Sequence, residues 1–326
     1  MGSPSSRETA GYDRALTGFL HTLADHDDQW EGGLHREVAT RLVDLTGAEA
    51  GEACLDIGGS AGIVTTALSR AVGPDGWVVT TDISEPSIEV ARSRATGHTH
   101  LVKMTADDVI FRDHTFDVVV LSRSITHEAD PHSVIAEASR ALKLGGRLAL
   151  FCRRRSLATP AEQAFLDELA VFVQHHPVNL PHQFLGYPGL ADRTEVEGAL
   201  MAAGFDKVTF GDVVTGGRAD DSASWNREMM RCWPAAAILL RGLGATKRLQ
   251  FEGQIERIMA TLGDEAFRYH HPYLLATGIK IRDQPSAVAV VLPGGTRALP
   301  LGNRHRGGGE GDPHEESDSR DNHATA

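Results

Sequence analysis

The sequence predicts an α/β fold in which helices cover both faces of a doubly wound, parallel β-sheet. Apolar, strand-like runs alternate with helical patterns from Ala53 to Cys152, and a glycine-rich turn follows the first of these runs. Strands that alternate with helices form parallel sheets, because each helix crosses back over the sheet before the next strand begins. Ligands of such folds bind at the carboxyl ends of the strands, which is where this turn lies.

Each element is predicted from its own periodicity. Short apolar runs indicate strands at 53–57, 77–82, 100–103, 116–121 and 147–152. Helical spacing of apolar residues indicates helices between them at 62–72, 85–94 and 131–142. The alternation then stops, and the pattern predicts helices over 160–174, 193–203 and most of 222–262, with late strands at 207–214 and 273–281.

These elements divide the chain into five segments. The predicted order is a disordered N-terminus, N-terminal helices, a ligand-binding core, a region with further helices and the last two strands, and a disordered tail, at residues 1–10, 11–50, 51–152, 153–283 and 293–326. The tail is expected to be disordered because it is rich in Gly, Asp, Glu and His and carries few apolar side chains.

Composition excludes several classes of protein. The formal net charge is -12, which disfavours a nucleic-acid partner because phosphate binding needs clustered Lys and Arg. No apolar run approaches the length of a membrane span, and the three cysteines are too scattered for a disulfide framework or a metal site. We therefore expect a cytoplasmic protein without a membrane or nucleic-acid partner and without a metal.

The turn itself restricts the ligand. The acid Asp56 is followed by Gly58, Gly59 and Gly62, and a second acid, Asp82, ends the next strand. The spacing differs from a dinucleotide fingerprint, and no Lys-Ser/Thr pair follows that could make a P-loop. A carboxylate beside the turn would repel phosphate and would suit a ligand with an ammonium group, while an acid after the second strand suits ribose hydroxyls.

Four stretches in order carry a family resemblance: residues 56–62, 116–121, 125–131 and 141–148. They resemble the motifs of the class I S-adenosylmethionine-dependent methyltransferases, in the subgroup with quinone-biosynthesis and natural-product enzymes. Ser60 departs from the family pattern, which has a glycine there. The resemblance implies a Rossmann-like, mostly parallel seven-stranded sheet with an antiparallel edge strand and a helical lid.

The resemblance also implies the cofactor and the reaction. S-adenosyl-L-methionine would donate its methyl group, by in-line attack on the sulfonium methyl, to an O, N or C atom of a small organic substrate. A homodimer is left open. So are two other functions: a methyltransferase fold that catalyses a decarboxylation or cyclisation with the same cofactor, and a non-catalytic binding protein.

Site residues are carried over position by position. Asp56 would hold the amino group of the cofactor, directly or through water, and Asp82 would bind the ribose. The backbone of the glycines would contact the cofactor, and the other positions would lie near the adenine ring or the methyl group. These remaining cofactor positions are Gly58, Gly59, Gly62, Ile83, Ala106, Asp107 and Ser122.

Alternatives remain for the adenine-binding acid, for the general base and for the aromatic residues of the lid. The family's adenine-binding acid falls at Thr105, so either Asp107 takes that role or Ala106 contributes its backbone alone. His127 is the candidate general base because its ordinary pKa lies near neutrality, and the other interpretation is a structural histidine that packs the loop. Aromatic residues of the lid, Trp225 and Phe251 among them, would form helix core or line the substrate pocket.

Overall fold

We analysed a computed structural model of the chain, which describes residues 34–122, 130–154, 159–175, 190–232, 236, 239–240, 242–263, 268–283, 291–292 and 295–296. Seven strands form one sheet in the order β3-β2-β1-β4-β5-β7-β6. From β1 to β7 they are Ala53–Ile57, Trp77–Asp82, Thr99–Lys103, Phe116–Leu121, Leu142–Arg153, Phe205–Arg218 and Arg268–Lys280. The described helices, α1 to α8, are Leu34–Thr46, Ile63–Val72, Glu85–Arg94, Pro131–Ala141, Pro160–His175, Arg193–Ala202, Ser222–Cys232 and Ala245–Thr261.

The predicted doubly wound sheet is confirmed. Strands β3, β2, β1, β4 and β5 pair in parallel, and β7 runs antiparallel between β5 and β6. The reversed strand β7 thus lies second from the edge and pairs antiparallel with the edge strand β6, at the side of the sheet where the resemblance implies an antiparallel edge strand. A separate pair of two-residue strands, Val291–Leu292 and Gly295–Thr296, lies in the C-terminal unit of residues 285–326.

Alternation of side chains along the strands gives the sheet a core on each face. On one face, apolar residues of α1 and α2 pack on Cys54, Val78 and Val118. On the other, α4 and α6 pack on Leu55 and the odd-numbered positions of the neighbouring strands. Because successive side chains point to opposite faces, Asp56, Thr80 and Val120 lie on the face that α1 and α2 cover.

The last two strands are longer than predicted. β6 and β7 stay paired from Val213 opposite Tyr273 to Arg218 opposite Arg268, beyond the point where β5 ends at Arg153. This extension projects past the carboxyl edge of β5 as a two-stranded arm. It lacks apolar alternation, since it includes two glycines and two histidines, and the sequence pattern therefore missed it.

The helices after β5 have a core of their own. Side chains of α5, α7 and α8 form a third hydrophobic cluster around Phe165, Trp225 and Phe251, whose rings meet edge to face. Trp225 and Phe251 have no exposed surface, so of the two interpretations the helix core is confirmed for them. The indole of Trp225 donates to the carbonyl of Arg268, which fastens this cluster to the arm.

Arg147 on β5 joins three segments at the amino-terminal edge of the sheet. Its guanidinium donates to both carboxylate oxygens of Glu52, at 2.7 and 2.6 Å, and to the carbonyls of Thr46 and Gly47 at the end of α1. The side chain is only 22% exposed, so solvent screens these bonds weakly. Arg147 therefore fixes the connection between α1 and β1.

Replacing Arg147 with lysine keeps the charge and removes the planar fork that makes these bonds together. We expect Arg147→Lys to lower the free energy of unfolding in urea by about 1–2 kcal/mol. The matched control is Arg41→Lys, whose pair with Glu37 is about half exposed on the surface of α1. It should change stability by less than about 0.5 kcal/mol. Equal effects of the two substitutions would contradict a special role for Arg147.

Candidate functional site

The turn after β1 is tied to the end of β2 by backbone hydrogen bonds. The amides of Gly58 and Gly59 both donate to the carbonyl of Thr81, at 2.8 and 3.0 Å, and the amide of Gly62 donates to the carbonyl of Gly59. Gly58 and Gly62 have φ angles of 74° and 82°, a region that disfavours side chains. The sequence therefore needs glycine at both positions to start α2 directly after the strand.

Ser60 occupies the position where the family pattern has a glycine. Its φ angle is 47°, a conformation that costs an L-residue roughly 1–2 kcal/mol. Its amide donates to the carboxylate of Asp82 at 2.9 Å. The charge-assisted bond to Asp82 compensates this cost, which explains how the turn keeps its shape despite the substitution.

Asp82 organises the carboxyl edge of the sheet. One carboxylate oxygen accepts from Ser60 and the other accepts from the amide of Ser84 at 2.8 Å, which begins α3. Its carbonyl accepts from Met104 at the end of β3. The side chain of Asp82 and that of Ile83 beside it are half-buried, so both border the surface at this edge.

Asp56 lies beneath the turn and is completely buried. One carboxylate oxygen accepts a very short hydrogen bond from the Ser122 hydroxyl, and the other accepts from Thr65 at 2.7 Å. Thr65 in turn accepts from Thr80 at 2.9 Å. Asp56, Thr80 and Ser122 occupy even-numbered positions near the ends of β1, β2 and β4, so side-chain alternation brings them together on the α2 face.

Burial, together with the nearby negative charge of Asp82, raises the pKa of Asp56 to about 6, against the opposing effect of the hydrogen bonds from Ser122 and Thr65. Near neutral pH the group is therefore a carboxylate inside the protein. Both oxygens already accept hydroxyl hydrogen bonds, and no surface of the side chain is exposed. This geometry favours attraction of a ligand's ammonium group through the turn over a direct hydrogen bond.

The remaining predicted positions differ in their surroundings. Ala106 is buried in the same cluster as Ile57, whereas Asp107 is exposed just beyond β3. Ser122 is buried and uses its hydroxyl on Asp56, and its amide donates to Ile57. His127 lies outside the described residues. The structure thus brings Asp56, the three glycines, Asp82, Ile83 and Ser122 to one edge of the sheet.

Three residues at this edge were missed by sequence reasoning. Thr65 and Thr80 continue the hydrogen-bond network of Asp56, and Arg94 at the end of α3 donates to the carbonyl of Ala61 at 2.7 Å. Alternation along β2 is a signal that could have found Thr80, because the residue lies two positions before Asp82 and pairs with Asp56. Arg94 is 33 residues away in sequence, and no local pattern indicates it.

The chemistry of this edge fits a phosphate-free cofactor with an amino group. Two carboxylates, Asp56 and Asp82, stand on either side of the turn, and residues 53–66 contain no Lys or Arg. Within the described residues, no group of three His, Cys, Asp or Glu side chains is arranged to hold a metal ion. None of the helices in those ranges has the length and apolar character that a membrane span requires.

Comparison with known proteins supports the same ligand. A family model described as a methyltransferase domain matches residues 55–150. The ubiquinone/menaquinone biosynthesis C-methyltransferase UbiE of Stutzerimonas stutzeri is 30% identical over 221 residues, which cover 61% of this chain and 83% of that protein. The chain belongs to the class I S-adenosylmethionine-dependent methyltransferases.

Two further comparisons agree with this assignment. The UbiE of Vibrio parahaemolyticus is 28% identical to the methyltransferase over 214 residues, covering 61% of this chain and 82% of that protein. The crystal structure of YcgJ from Bacillus subtilis covers 76% of this chain and 99% of its own, with a TM-score of 0.52 and 19% identity, which shows the shared fold. The methyltransferase therefore uses S-adenosylmethionine to methylate a small molecule, and no comparison favours the decarboxylation or cyclisation.

The raised pKa of Asp56 predicts a specific pH dependence of stability. The folded protein holds a proton up to a pKa of about 6 that the unfolded chain releases near 3.8, so the free energy of unfolding falls as pH rises between these values. Asp56→Asn removes the titrating group and keeps its shape. Between pH 5 and pH 8, we expect the wild type to lose about 1–2 kcal/mol relative to this variant in urea unfolding. A difference that stays constant with pH would contradict the assignment.

Gly59 tests how tightly the turn is packed. A Cβ atom at this position would lie 2.3 Å from Thr80 Cγ2 and 2.8 Å from a carboxylate oxygen of Asp56. We expect Gly59→Ala to lower the free energy of unfolding by about 1–3 kcal/mol, because the neighbours are buried. Gly97→Ala is the control, since nothing lies within 4 Å of its Cβ position, and its stability should be equal or slightly higher. Similar effects of both variants would contradict the close approach.

Proposed function

We propose that the methyltransferase transfers the methyl group to a carbon atom of a small, electron-rich ring compound of the quinol type. The observation that carries this proposal is the 30% identity to a UbiE protein of which the chain covers 83%, because that relative is a quinone-biosynthesis C-methyltransferase. The acceptor would bind above the carboxyl edge of the sheet, next to the lid helices α5, α7 and α8.

In this proposal, each residue at the carboxyl edge lies near a different part of the cofactor. Asp82 binds the ribose hydroxyls, the amides and carbonyls of the glycine turn bind the methionine part, and Ile83 packs on adenine. Ala106 and Asp107 lie at the adenine end, and Ser122 lies toward the methyl group. Asp56 acts as a buried negative charge beneath the turn, which stabilises an ammonium group nearby.

The protein's own contribution to the reaction is mainly alignment. When bound, S-adenosylmethionine supplies an activated, electrophilic methyl group. Residues of the turn and the lid hold two partners in line and exclude water, and such orientation is worth roughly 7–11 kcal/mol. A ring carbon becomes nucleophilic when a neighbouring hydroxyl loses its proton, and His127 is the proposed base for that step. A positioned base contributes about 10²–10⁴-fold.

The domain boundaries, a homodimer and a cytoplasmic location remain predictions. The first of these has some structural support, because the cluster of α5, α7 and α8 is separate from the two cores of the sheet. This separation is consistent with a cofactor-binding core followed by a lid region at residues 153–283.

Transfer of label tests the proposed reaction. With S-adenosylmethionine labelled in its methyl group, we expect label on a ring carbon of a demethylated quinol, located by carbon NMR of the product. Label on oxygen or nitrogen alone would contradict the proposed carbon acceptor. Binding of the cofactor without transfer to any quinol, phenol or amine would favour the non-catalytic protein.

Asp82 provides a direct test of the cofactor site. We expect Asp82→Asn to weaken the affinity for S-adenosylhomocysteine by about tenfold or more in calorimetry, because the amide cannot replace a carboxylate toward the ribose hydroxyls. The control is Asp75→Asn, an exposed residue after α2, which should leave the affinity unchanged. Unchanged affinity in Asp82→Asn would contradict the ribose role.

A further inference from the structure

Thr80 lies at the carboxyl edge of the sheet, between the Asp56 network and the glycine turn, and its side chain is buried. It is 1% exposed, and it lies opposite Asp56 in the pairing of β1 with β2. Both ends of its side chain are in use: the hydroxyl meets Thr65, and the methyl group meets the backbone of Gly59. Each contact has a separate consequence for the site.

The hydroxyl contact continues the hydrogen bonds of Asp56 by one step. An ionised carboxylate only accepts, so Thr65 must donate to Asp56 and is left to accept from Thr80. Each bond in such a chain polarises the next and strengthens it. Removing the Thr80 hydroxyl would therefore weaken the bond that Thr65 makes to the carboxylate, without touching Asp56 itself.

The methyl contact fixes the height of the turn above the sheet. Thr80 Cγ2 lies 2.3 Å from the position that a Cβ of Gly59 would take, so the glycine backbone rests directly on this methyl group. The neighbouring amides of Gly58 and Gly59 reach the carbonyl of Thr81 on the same strand. Without the methyl group, the turn would lose the surface on which it packs while keeping its hydrogen bonds.

We propose that Thr80 is a positioning residue of the cofactor site, whose methyl group seats the glycine turn and whose hydroxyl, through Thr65, holds the Asp56 carboxylate in its ionised form. This inference rests on the proposed function, in which the cofactor binds at the turn. It adds a residue that makes no contact with the cofactor and acts through its two neighbours.

The groups that face Asp56 determine the pKa at which its carboxylate gains a proton. The charged neighbour on β2 is Asp82, which disfavours the ionised form of Asp56. The Thr80 hydroxyl on the same strand reaches Asp56 only through Thr65. α2 presents the hydroxyl of Thr65, and β4 presents that of Ser122, and both favour the ionised form. Loss of one supporting hydroxyl should therefore move the titration of Asp56 upward from about 6.

Two substitutions separate the roles of the hydroxyl and the methyl group. Thr80→Val keeps a methyl group against Gly59 and removes the hydroxyl, and Thr80→Ser does the reverse. Affinity for S-adenosylhomocysteine is measured by calorimetry from pH 5.5 to pH 8, together with urea unfolding of the unliganded proteins. For wild type we expect affinity to fall as pH drops through about 6, where Asp56 gains its proton.

The two variants should differ from wild type in different ways. Thr80→Val should bind within about threefold of wild type at pH 8. As the pH is lowered, its affinity should fall with a midpoint at a higher pH than the midpoint of wild type. Thr80→Ser should keep the wild-type midpoint and bind about three- to tenfold more weakly at every pH, a loss of roughly 1 kcal/mol. The control is Thr209→Val, an exposed residue of the edge strand β6, which the sheet order separates from β2 by four strands. Its affinity and midpoint should match wild type.

A second pair of variants shows whether Thr80 acts through Thr65. Thr65→Val should raise the midpoint more than Thr80→Val, and the double variant should raise it no further than Thr65→Val alone. An unchanged midpoint in Thr80→Val and in Thr65→Val would overturn the role of the hydroxyl. Wild-type affinity in Thr80→Ser would overturn the role of the methyl group. Failure of the proposed cofactor site is distinguishable, because wild type itself would then not bind S-adenosylhomocysteine, whereas a different acceptor atom would leave all these binding results unchanged.

Discussion

The carboxylate of Asp56, buried between the sheet and α2, is the constraint on which the rest of the site depends. An ion in that position is costly unless hydrogen bonds replace its water, and here Thr65 and Ser122 supply them from two different elements. To satisfy one charge, α2 must begin where it does and β4 must end beside β1. The strand ends and the first turn of the helix are therefore positioned together.

A buried charge of this kind contributes to function at the expense of stability. Its raised pKa means that the folded state would be more stable with a neutral side chain near neutral pH. The charge itself therefore adds no stability, so stability alone does not explain an acid here. In the proposed role, the field of Asp56 acts on the ammonium group of the cofactor across a turn that contributes no cation of its own. Asp82 strengthens this field and also shapes the turn, through its bond to Ser60.

Local pattern predicted the parallel part of the sheet well, because there each strand carries its own signal. The apolar runs at 53–57, 77–82 and 116–121 are the observed β1, β2 and β4, residue for residue. The mostly parallel sheet of seven strands also followed, since the family resemblance implied it. The placement of Asp56 and Asp82 at the carboxyl edge also followed, because acids at strand ends stand out against apolar runs.

The parts that sequence reasoning missed depend on partners distant in the chain. The outer halves of β6 and β7 are strands only because each pairs with the other, across about fifty intervening residues that hold α7 and α8. Thr65 and Thr80 are ordinary residues of a helix and a strand until the fold places them beside a carboxylate. Such roles arise only when the fold brings distant residues together. A single sequence does not show that two hydroxyl groups lie within hydrogen-bond distance of each other.

The separate cluster of the lid helices bears on how this fold can change its acceptor. The rings of Phe165, Trp225 and Phe251 pack on one another, so these large side chains stabilise the helical cluster itself and leave the proposed acceptor pocket to be lined by other residues. The helical cluster joins the sheet through the two-stranded arm, by the hydrogen bond of Trp225 to Arg268 and by the packing of Tyr269 against the cluster. Neither contact involves the glycine turn or the network of Asp56. Substitutions facing the acceptor can therefore alter its shape without disturbing the bonds that hold the cofactor edge, and specificity can diverge while the methyl donor stays the same.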